Sequence, residues 1–358
     1  MNWSTVLASI RRAHGEPLLN ATFKQNPEDF VVEELLGFEP DGDGEHELVQ
    51  VEKKGVSTLE AQLQLAKVYR LPLKDISFAG MKDRQAIARQ WFSVRVGIKA
   101  PSPDFNRMDG SVRILDRARN RRKLQRGSHR GNRFLITLRE CDAASNRSAI
   151  EARLQDLGLR GVPNYFGMQR FGRNGDNLAQ VADWFAGRSL APASRTLRGL
   201  LLSSARSLLF NAVLSERVRA GTWNQILAGE LVALSGSERT FASSRATLSE
   251  LQERLNVFDI HPTGPLWGCG DPGVGDEVKT LESSVAGQYR EFYEGLEREG
   301  LEHQRRALRV QVCNLQFDWQ GNDLQLSFML ARGAYATSVL RELLFDQTLL
   351  PLSAGEVA

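Results

Sequence analysis

A chain of 358 residues, 42% hydrophobic and 25% charged, can bury a substantial core and is long enough for two domains. No stretch reaches the about 18 uninterrupted apolar residues of a membrane span, and Met1-Asn-Trp-Ser lacks a basic region followed by an apolar one, so a cytoplasmic protein without membrane contact is expected. Cys141, Cys269 and Cys313 are odd in number and scattered, and the five histidines show no ligand spacing, which argues against a disulfide framework and against a metal site.

Taken in chain order, Asn26-Pro27 signals a turn, and Phe30-Val-Val-Glu after it is short and β-branched, as a strand would be. Leu48-Val-Gln-Val-Glu-Lys predicts a second strand. Ser57, with Glu60 three residues on, forms a capping box for a helix carrying Leu59, Leu63, Leu65, Ala66 and Tyr69 until Pro72 stops it. The apolar run from Ile76 leads into Gly80, and Trp91 to Val96 alternates with a period of two. Between these strands sits Gly-Met-Lys-Asp-Arg, a loop in which Lys82 and Arg84 flank the single carboxylate of Asp83. By itself such a run is most often a solvated turn.

A Pro/Ser/Asn-rich connection over 100–110 precedes a concentrated basic segment. Between Arg117 and Arg133 there are eight basic residues and no acid, against a whole-chain charge of only +3, so the remainder is mildly acidic. This layout predicts a polyanion contact through Arg121, Arg122, Lys123, Arg126 and Arg130; a merely solvated arm is the plain alternative. Phe134 opens the next apolar strand, where aromatic residues ordinarily pack inward.

Residues 145–158 predict a helix with Ile150, Leu154 and Leu157 on one face, and 177–221 is helical, including Leu200 to Val218. Gly268, Gly270 and Gly273 satisfy the letters of a dinucleotide fingerprint, but they sit among Pro262, Pro265 and Pro272 rather than between a strand and a helix. Residues 286–306 again look helical and charged. The C-terminal part predicts a hairpin, with Leu315, Phe317 and Trp319 on one strand, a turn at Gln320-Gly-Asn-Asp, and Leu324, Leu326, Phe328 and Leu330 on the other.

Several strings together carry a family resemblance. Phe78-Ala-Gly-Met-Lys-Asp-Arg resembles the catalytic loop of the TruD family of transfer-RNA pseudouridine synthases. In the same order as in that family follow Gly131-Asn-Arg-Phe, Val162-Pro-Asn-Tyr-Phe-Gly-Met-Gln-Arg-Phe-Gly and Ala331-Arg-Gly-Ala-Tyr; Asn26-Pro-Glu-Asp-Phe-Val-Val matches near the start. The second of these is the most specific.

The resemblance implies an α+β fold. A pseudouridine synthase-like core with an antiparallel mixed sheet would come from 1–157 and 309–358, and a largely helical α+β TRUD insertion domain from 158–308. It implies Asp83 as the catalytic residue. Phe30, Lys24 and Lys82 would lie near the reacting uridine, Asn132 would hydrogen-bond the uracil, Phe134 would stack on it, and Tyr335 would contact the substrate. Tyr165, Gln169 and Arg170 would support the site. The family usually carries serine where this chain has Ala334, so that side-chain hydrogen bond is missing.

The substrate implied is tRNA, with the uridine at position 13 as the family's target, no cofactor and no obligate protein partner. Isomerising uridine breaks the N1 to C1′ bond, turns the uracil and joins C5 to the sugar, without redox change. An ionised aspartate suits action at the sugar, as nucleophile or as base. Lys82, Arg84 or Lys24 would offset its desolvation. The rival reading is a non-catalytic RNA-binding protein or RNA chaperone, which needs the basic segment but not Asp83. A nucleotide-dependent enzyme using the glycine-rich segment is a third.

Overall fold

In a computed structural model, the chain is described at residues 2–97, 103, 105, 108–143, 146–237 and 239–345, excepting the side chains of Arg173 and Asp276. Most of the 100–110 connection and Ser145 lie outside the described residues. The chain groups into two compact units. One is built from 19–154 and 312–333, the other from 1–18, 155–311 and 334–358.

The first unit holds a nine-stranded mixed sheet among the described residues. Its order is Cys313–Gln320, Asp323–Ala331, His129–Arg139, Phe30–Leu36, Ile87–Arg95, His46–Lys54, Val112–Asn120, with Thr22–Phe23 and Ile76–Phe78 paired to His129–Arg139 and Ile87–Arg95. Every pair is antiparallel except Phe30–Leu36 with Ile87–Arg95. The alternations read from the sequence become faces. Leu324, Leu326, Phe328 and Leu330 are buried along one side of their strand.

The expected capping box is present: Ser57 Oγ accepts from Glu60 N–H and the Glu60 carboxylate from Ser57 N–H, starting the helix Thr58–Tyr69. Arg70 ends it in the left-handed conformation. Only part of the apolar set read from the sequence faces inward. Thr58, Ala61, Leu65 and Val68 are buried, Ala61 and Leu65 against Val49, Val51, Phe92 and Val94, whereas Leu59 and Leu63 are exposed. Two apolar lines run along this helix, and the sheet takes the one with the small Ala61, which allows close approach.

Two other readings are refined. The plain alternative for the basic segment, a solvated arm, does not describe its first half, because Val112–Asn120 is an edge strand of this sheet. Ile87–Arg95 also begins four residues before the alternation made it visible.

In the second unit the helix Arg195–Arg219 buries Leu201, Ala205, Leu208, Leu209, Val213 and Leu214. By length and composition alone it could cross a bilayer, but just over half of its apolar stretch is buried inside the protein. Its charged interior residue Arg217 is fully buried against Glu230, at 2.9 Å. Around it pack Asp176–Phe185, Asp276–Gly287 and Arg290–Arg298, so that Phe185, Phe292 and Leu296 close one cluster.

A four-stranded antiparallel sheet, Thr240–Ala242, Leu231–Leu234, Ile260–Leu266 and Gln304–Ala307, belongs to the same unit. It was hidden in the sequence by Pro262 and Pro265, and its last strand occupies the end of the stretch expected to be helical. The glycine-rich segment does follow a strand and precede a helix, contrary to expectation. That strand is antiparallel to both neighbours, however, so no parallel crossover exists for a dinucleotide. A Cβ on Gly268 would lie 2.2 Å from the Leu301 carbonyl oxygen, so close backbone packing accounts for that glycine.

Replacing Ser57 by Ala removes one half of the box on the helix preceding the Gly80–Arg84 loop. The expected loss in unfolding free energy is about 1 kcal/mol by urea denaturation; no loss would mean that the cap is carried by Glu60 alone.

Candidate active site

Two loops converge because of the single parallel strand pair. The turn through Lys24 enters Phe30–Leu36, and the Gly80–Arg84 loop enters Ile87–Arg95. With Val31 opposite Ile87 in a parallel ladder, both strands begin at the same edge of the sheet. There Lys24 Nζ lies 2.6 Å from Asp83 Oδ2 and 4.0 Å from the centre of the Phe30 ring. The Asp83 side chain stays 57% exposed, so its carboxylate remains reachable. Lys24 adopts φ +58, a left-handed conformation that a side-chain-bearing residue enters at a cost of about 1–2 kcal/mol.

The backbone of the Asp83 loop is held by buried polar side chains. Thr58 Oγ1 accepts from Lys82 N–H at 2.9 Å and donates to Gln90 Oε1 at 2.9 Å, while Gln90 Nε2 donates to the Gly80 carbonyl at 3.0 Å. Lys53 Nζ donates to the carbonyls of Asp83 at 2.6 Å and Val56 at 2.7 Å. None of these three residues was singled out by sequence. Charged or polar residues within a strand read as solvent-facing, and only the register shows Lys53 continuing the inward row of Val49 and Val51.

Lys82 turns away from Asp83. Its ammonium lies 2.7 Å from Glu34 Oε2, on a fully buried carboxylate, and donates to Asn132 Oδ1 at 2.8 Å. An ammonium only donates, so the amide oxygen of Asn132 is committed to Lys82 and its NH2 group is left to donate elsewhere. Glu34, also missed by sequence, accepts from the Trp91 N–H at 3.3 Å. Burial pushes the neighbouring His129 imidazole below its ordinary value; Glu34 opposes that shift and Lys82 adds to it. Arg84 donates to the Gly55 carbonyl at 3.0 Å and pairs with Glu60 at 3.5 Å. Of the cations expected to offset Asp83, Lys24 contacts its carboxylate directly, and Lys82 is held by Glu34 and Asn132 instead.

Strand register places the remaining residues beside this pair. Phe30, Val32 and Glu34 stand opposite Ile136, Phe134 and Asn132, so these side chains share one face. The Phe30 and Phe134 rings are 5.9 Å apart and Phe134 lies 5.5 Å from Phe328; both Phe30 and Phe134 are buried. A Cβ on Gly131 would sit 2.3 Å from the Leu330 carbonyl oxygen, so glycine there lets the strands close up beside Asn132. Tyr335 belongs to the other unit, where its hydroxyl accepts from Arg170 Nη2 at 3.0 Å. There too, Tyr165 donates to the Arg11 carbonyl at 3.0 Å, and Gln169 is exposed.

The basic segment divides into two halves. Arg117 pairs with Glu47, Arg119 donates to the Gly97 carbonyl, and Arg121 grips Asp43 through two hydrogen bonds of 2.7 and 3.0 Å. Arg122, Lys123, Arg126 and Arg130 are exposed, with no carboxylate partner among the described residues. No cluster of candidate metal ligands occurs among the described residues.

The sequence matches the family described as tRNA pseudouridine synthase D (TruD) over residues 13–193 and 176–343. The chain belongs to the TruD family. It is 46% identical over 335 residues to the tRNA pseudouridine synthase D of Ectopseudomonas mendocina, covering 93% of this chain and 94% of that one. To the enzyme of the same name from Azotobacter vinelandii it is 46% identical over 333 residues, covering 93% of each. A crystal structure described provisionally as tRNA pseudouridine synthase D from Methanosarcina mazei superimposes with a TM-score of 0.72. It covers 94% of this chain and 96% of that one at 21% identity, a likeness of fold. The α+β class expected from the sequence is thus the class of the TruD fold.

The Lys82–Glu34 pair is a test of how dry this site is. Lys82→Met strands the Glu34 carboxylate without its cation, and equilibrium unfolding should show a loss of about 3–5 kcal/mol. A loss below about 1 kcal/mol, the range of solvated pairs, would mean that water reaches Glu34.

Proposed function

We propose that this chain isomerises uridine to pseudouridine in tRNA, at the uridine of position 13, with Asp83 as the group that acts at the sugar. The observation carrying the proposal is the Asp83 carboxylate itself. It is open to a ligand, carries the Lys24 ammonium at 2.6 Å, and stands on the same strand ends as the Phe30, Phe134 and Asn132 face.

The chemistry follows from this arrangement. A uridine leaving its stack, at a cost of a few kcal/mol, brings its C1′ to Asp83, which either attacks C1′ or removes the neighbouring C2′ proton. The N1 to C1′ bond breaks, and the uracil leaves with the bonding pair. The base turns and C5 joins C1′, displacing the Asp83 oxygen on the first route and with return of the proton to C2′ on the second; the C5 proton is then lost while N1 gains one. Atoms and electrons balance within the nucleotide and water, so the reaction calls for no cofactor. Lys24 restrains Asp83 until the substrate arrives and then stands beside the charge that develops on the detached uracil. Asn132, its amide oxygen committed to Lys82, donates its NH2 to a uracil carbonyl. Phe30 and Phe134 supply the apolar wall on which the base turns. Tyr335 contacts the substrate in this scheme on the strength of its sequence motif.

The module boundaries implied by the resemblance, 1–157 with 309–358 as core and 158–308 as insertion, belong to the same proposal. Arg122, Lys123, Arg126 and Arg130 hold the phosphate backbone, and Arg121 contributes less because Asp43 already occupies it.

Two measurements test this reading. Asp83→Asn should abolish tritium release from C5-labelled uridine in tRNA while changing tRNA affinity less than about threefold, since phosphate contacts dominate binding. Release that persists in this variant would remove Asp83 from the chemistry. For the backbone contact, Arg122→Ala with Arg126→Ala should lower the slope of log affinity against log salt by about one to two. Arg121→Ala should lower it less, and equal slopes in all variants would make the segment a bystander.

A further inference from the structure

Lys53 is fully buried, and its ammonium meets main-chain carbonyls rather than a carboxylate. Its hydrogen bonds run 2.6 Å to Asp83 O, 2.7 Å to Val56 O and 3.4 Å to Lys82 O. In the antiparallel ladders Lys53 stands opposite Ala88 on one neighbouring strand and Val112 on the other, both uncharged. The charged groups facing it are Asp83, Lys82 and Arg84 from the loop and Glu60 from the helix. A lysine stem could end at solvent, as lysines generally do. Here the charge is instead spent on the peptide units immediately before and after the Asp83 Cα.

We propose that Lys53 is a positioning residue for the isomerisation: its buried ammonium clamps the Lys82 and Asp83 carbonyls and so fixes the direction in which the Asp83 carboxylate leaves the loop. The inference rests on the function proposed above but concerns a residue that does not touch the substrate. Thr58 and Gln90 hold the preceding peptide units by neutral bonds, so Lys53 is the one charged member of this cradle and its only titratable one. Lys53 meets three carbonyls, and a neutral amine would offer them only two N–H donors and no charge, so its grip weakens when the proton is lost. A misplacement of about 1 Å at a reacting group can cost 10²-fold in rate.

Burial lowers the Lys53 ammonium from its ordinary 10.5 to about 8, with Asp83 opposing the shift and Lys82 adding to it. The clamp is therefore charged well below that value, half charged at about 8, and weaker above it. Stability moves the other way. Between about 8 and 10.5 the unfolded chain holds this proton and the native chain does not, so this group makes the fold more stable as pH rises through that window. Loss of rate at alkaline pH from Lys53 would thus come without loss of fold.

The test uses Lys53→Met, which keeps the stem, and Lys53→Arg, which keeps the charge without titrating near 8. Under single-turnover conditions with saturating enzyme, Lys53→Met should lower the rate of pseudouridine formation about 10²-fold while tRNA affinity stays within about threefold. Lys53→Arg should recover at least a tenth of the wild-type rate and lose the alkaline limb near 8. Wild-type rate in Lys53→Met, or an alkaline limb unchanged in Lys53→Arg, overturns the proposal.

A second measurement needs no activity and so separates this inference from the function it rests on. In the tRNA-free wild-type protein, hydrogen-exchange protection over 80–84, corrected for base catalysis, should fall as pH rises through about 8. At constant pH it should also be weaker in Lys53→Met. Protection unchanged in both comparisons overturns the clamp, even if the wild-type enzyme proves active on tRNA; if it proves inactive, only the function fails.

Discussion

The constraint on which the rest depends is the one parallel strand pair, which brings Lys24 and Asp83, 59 residues apart in sequence, into an ion pair. Two chain segments that far apart meet because one strand pair in an otherwise antiparallel sheet is parallel. Antiparallel neighbours start at opposite edges, and a parallel pair starts at the same one. The loops before Phe30 and before Ile87 are therefore brought together by topology, and side chains only complete the approach. The strained backbone of Lys24 belongs to the same account, since a left-handed lysine persists only where its surroundings over-determine it.

The site separates three lysines by what each ammonium meets. Lys24 meets an exposed carboxylate, a pair that in water contributes about 0–1 kcal/mol. It contributes little to holding the fold, and a substrate can displace it. Lys82 meets a carboxylate with no exposure, where losing either partner leaves a buried charge unmatched. Lys53 meets carbonyls only. Weak pairing leaves the Asp83 carboxylate open, and strong or irreplaceable pairing sits where the backbone must not move. Had Lys82 neutralised Asp83, as its neighbouring position in the sequence suggests, the carboxylate would be masked and Asn132 left without its orienting donor.

Much of the first unit was legible in the sequence, because a sheet with one face on a core writes its period into the chain. The hairpin around Gln320 to Asp323, the strand at Phe30 and the capping box at Ser57 are all local signals. The residues that escaped notice are those whose environment is decided by register. Glu34 and Lys53 are charged residues in strands, and one residue of slip would put either into water. Leu59 and Leu63 failed in the opposite direction: they are apolar and helically spaced, yet the sheet selected the narrower face bearing Ala61. In the second unit the four-stranded sheet was hidden because Pro262 and Pro265 break the usual strand signature. Asp83, by contrast, was singled out through the resemblance of its loop, since a Lys-Asp-Arg run carries no meaning of its own.

The basic segment shows how composition alone conflates two jobs. Its first half is an edge strand, and guanidiniums along an edge discourage pairing with another sheet, so Arg117 and Arg119 have a structural reason to be there. Arg121, gripped by Asp43, marks the end of that strand's role. Beyond it Arg122, Lys123, Arg126 and Arg130 extend over a stretch leading directly into the strand that carries Asn132 and Phe134. Under the proposed function, phosphate contacts made there would be contiguous in the chain with the Asn132 and Phe134 face. Under that proposal, an RNA backbone gripped by this half would be registered against Asn132 through a few residues of covalent chain, and that short linkage would let a sequence-blind electrostatic contact place one particular uridine.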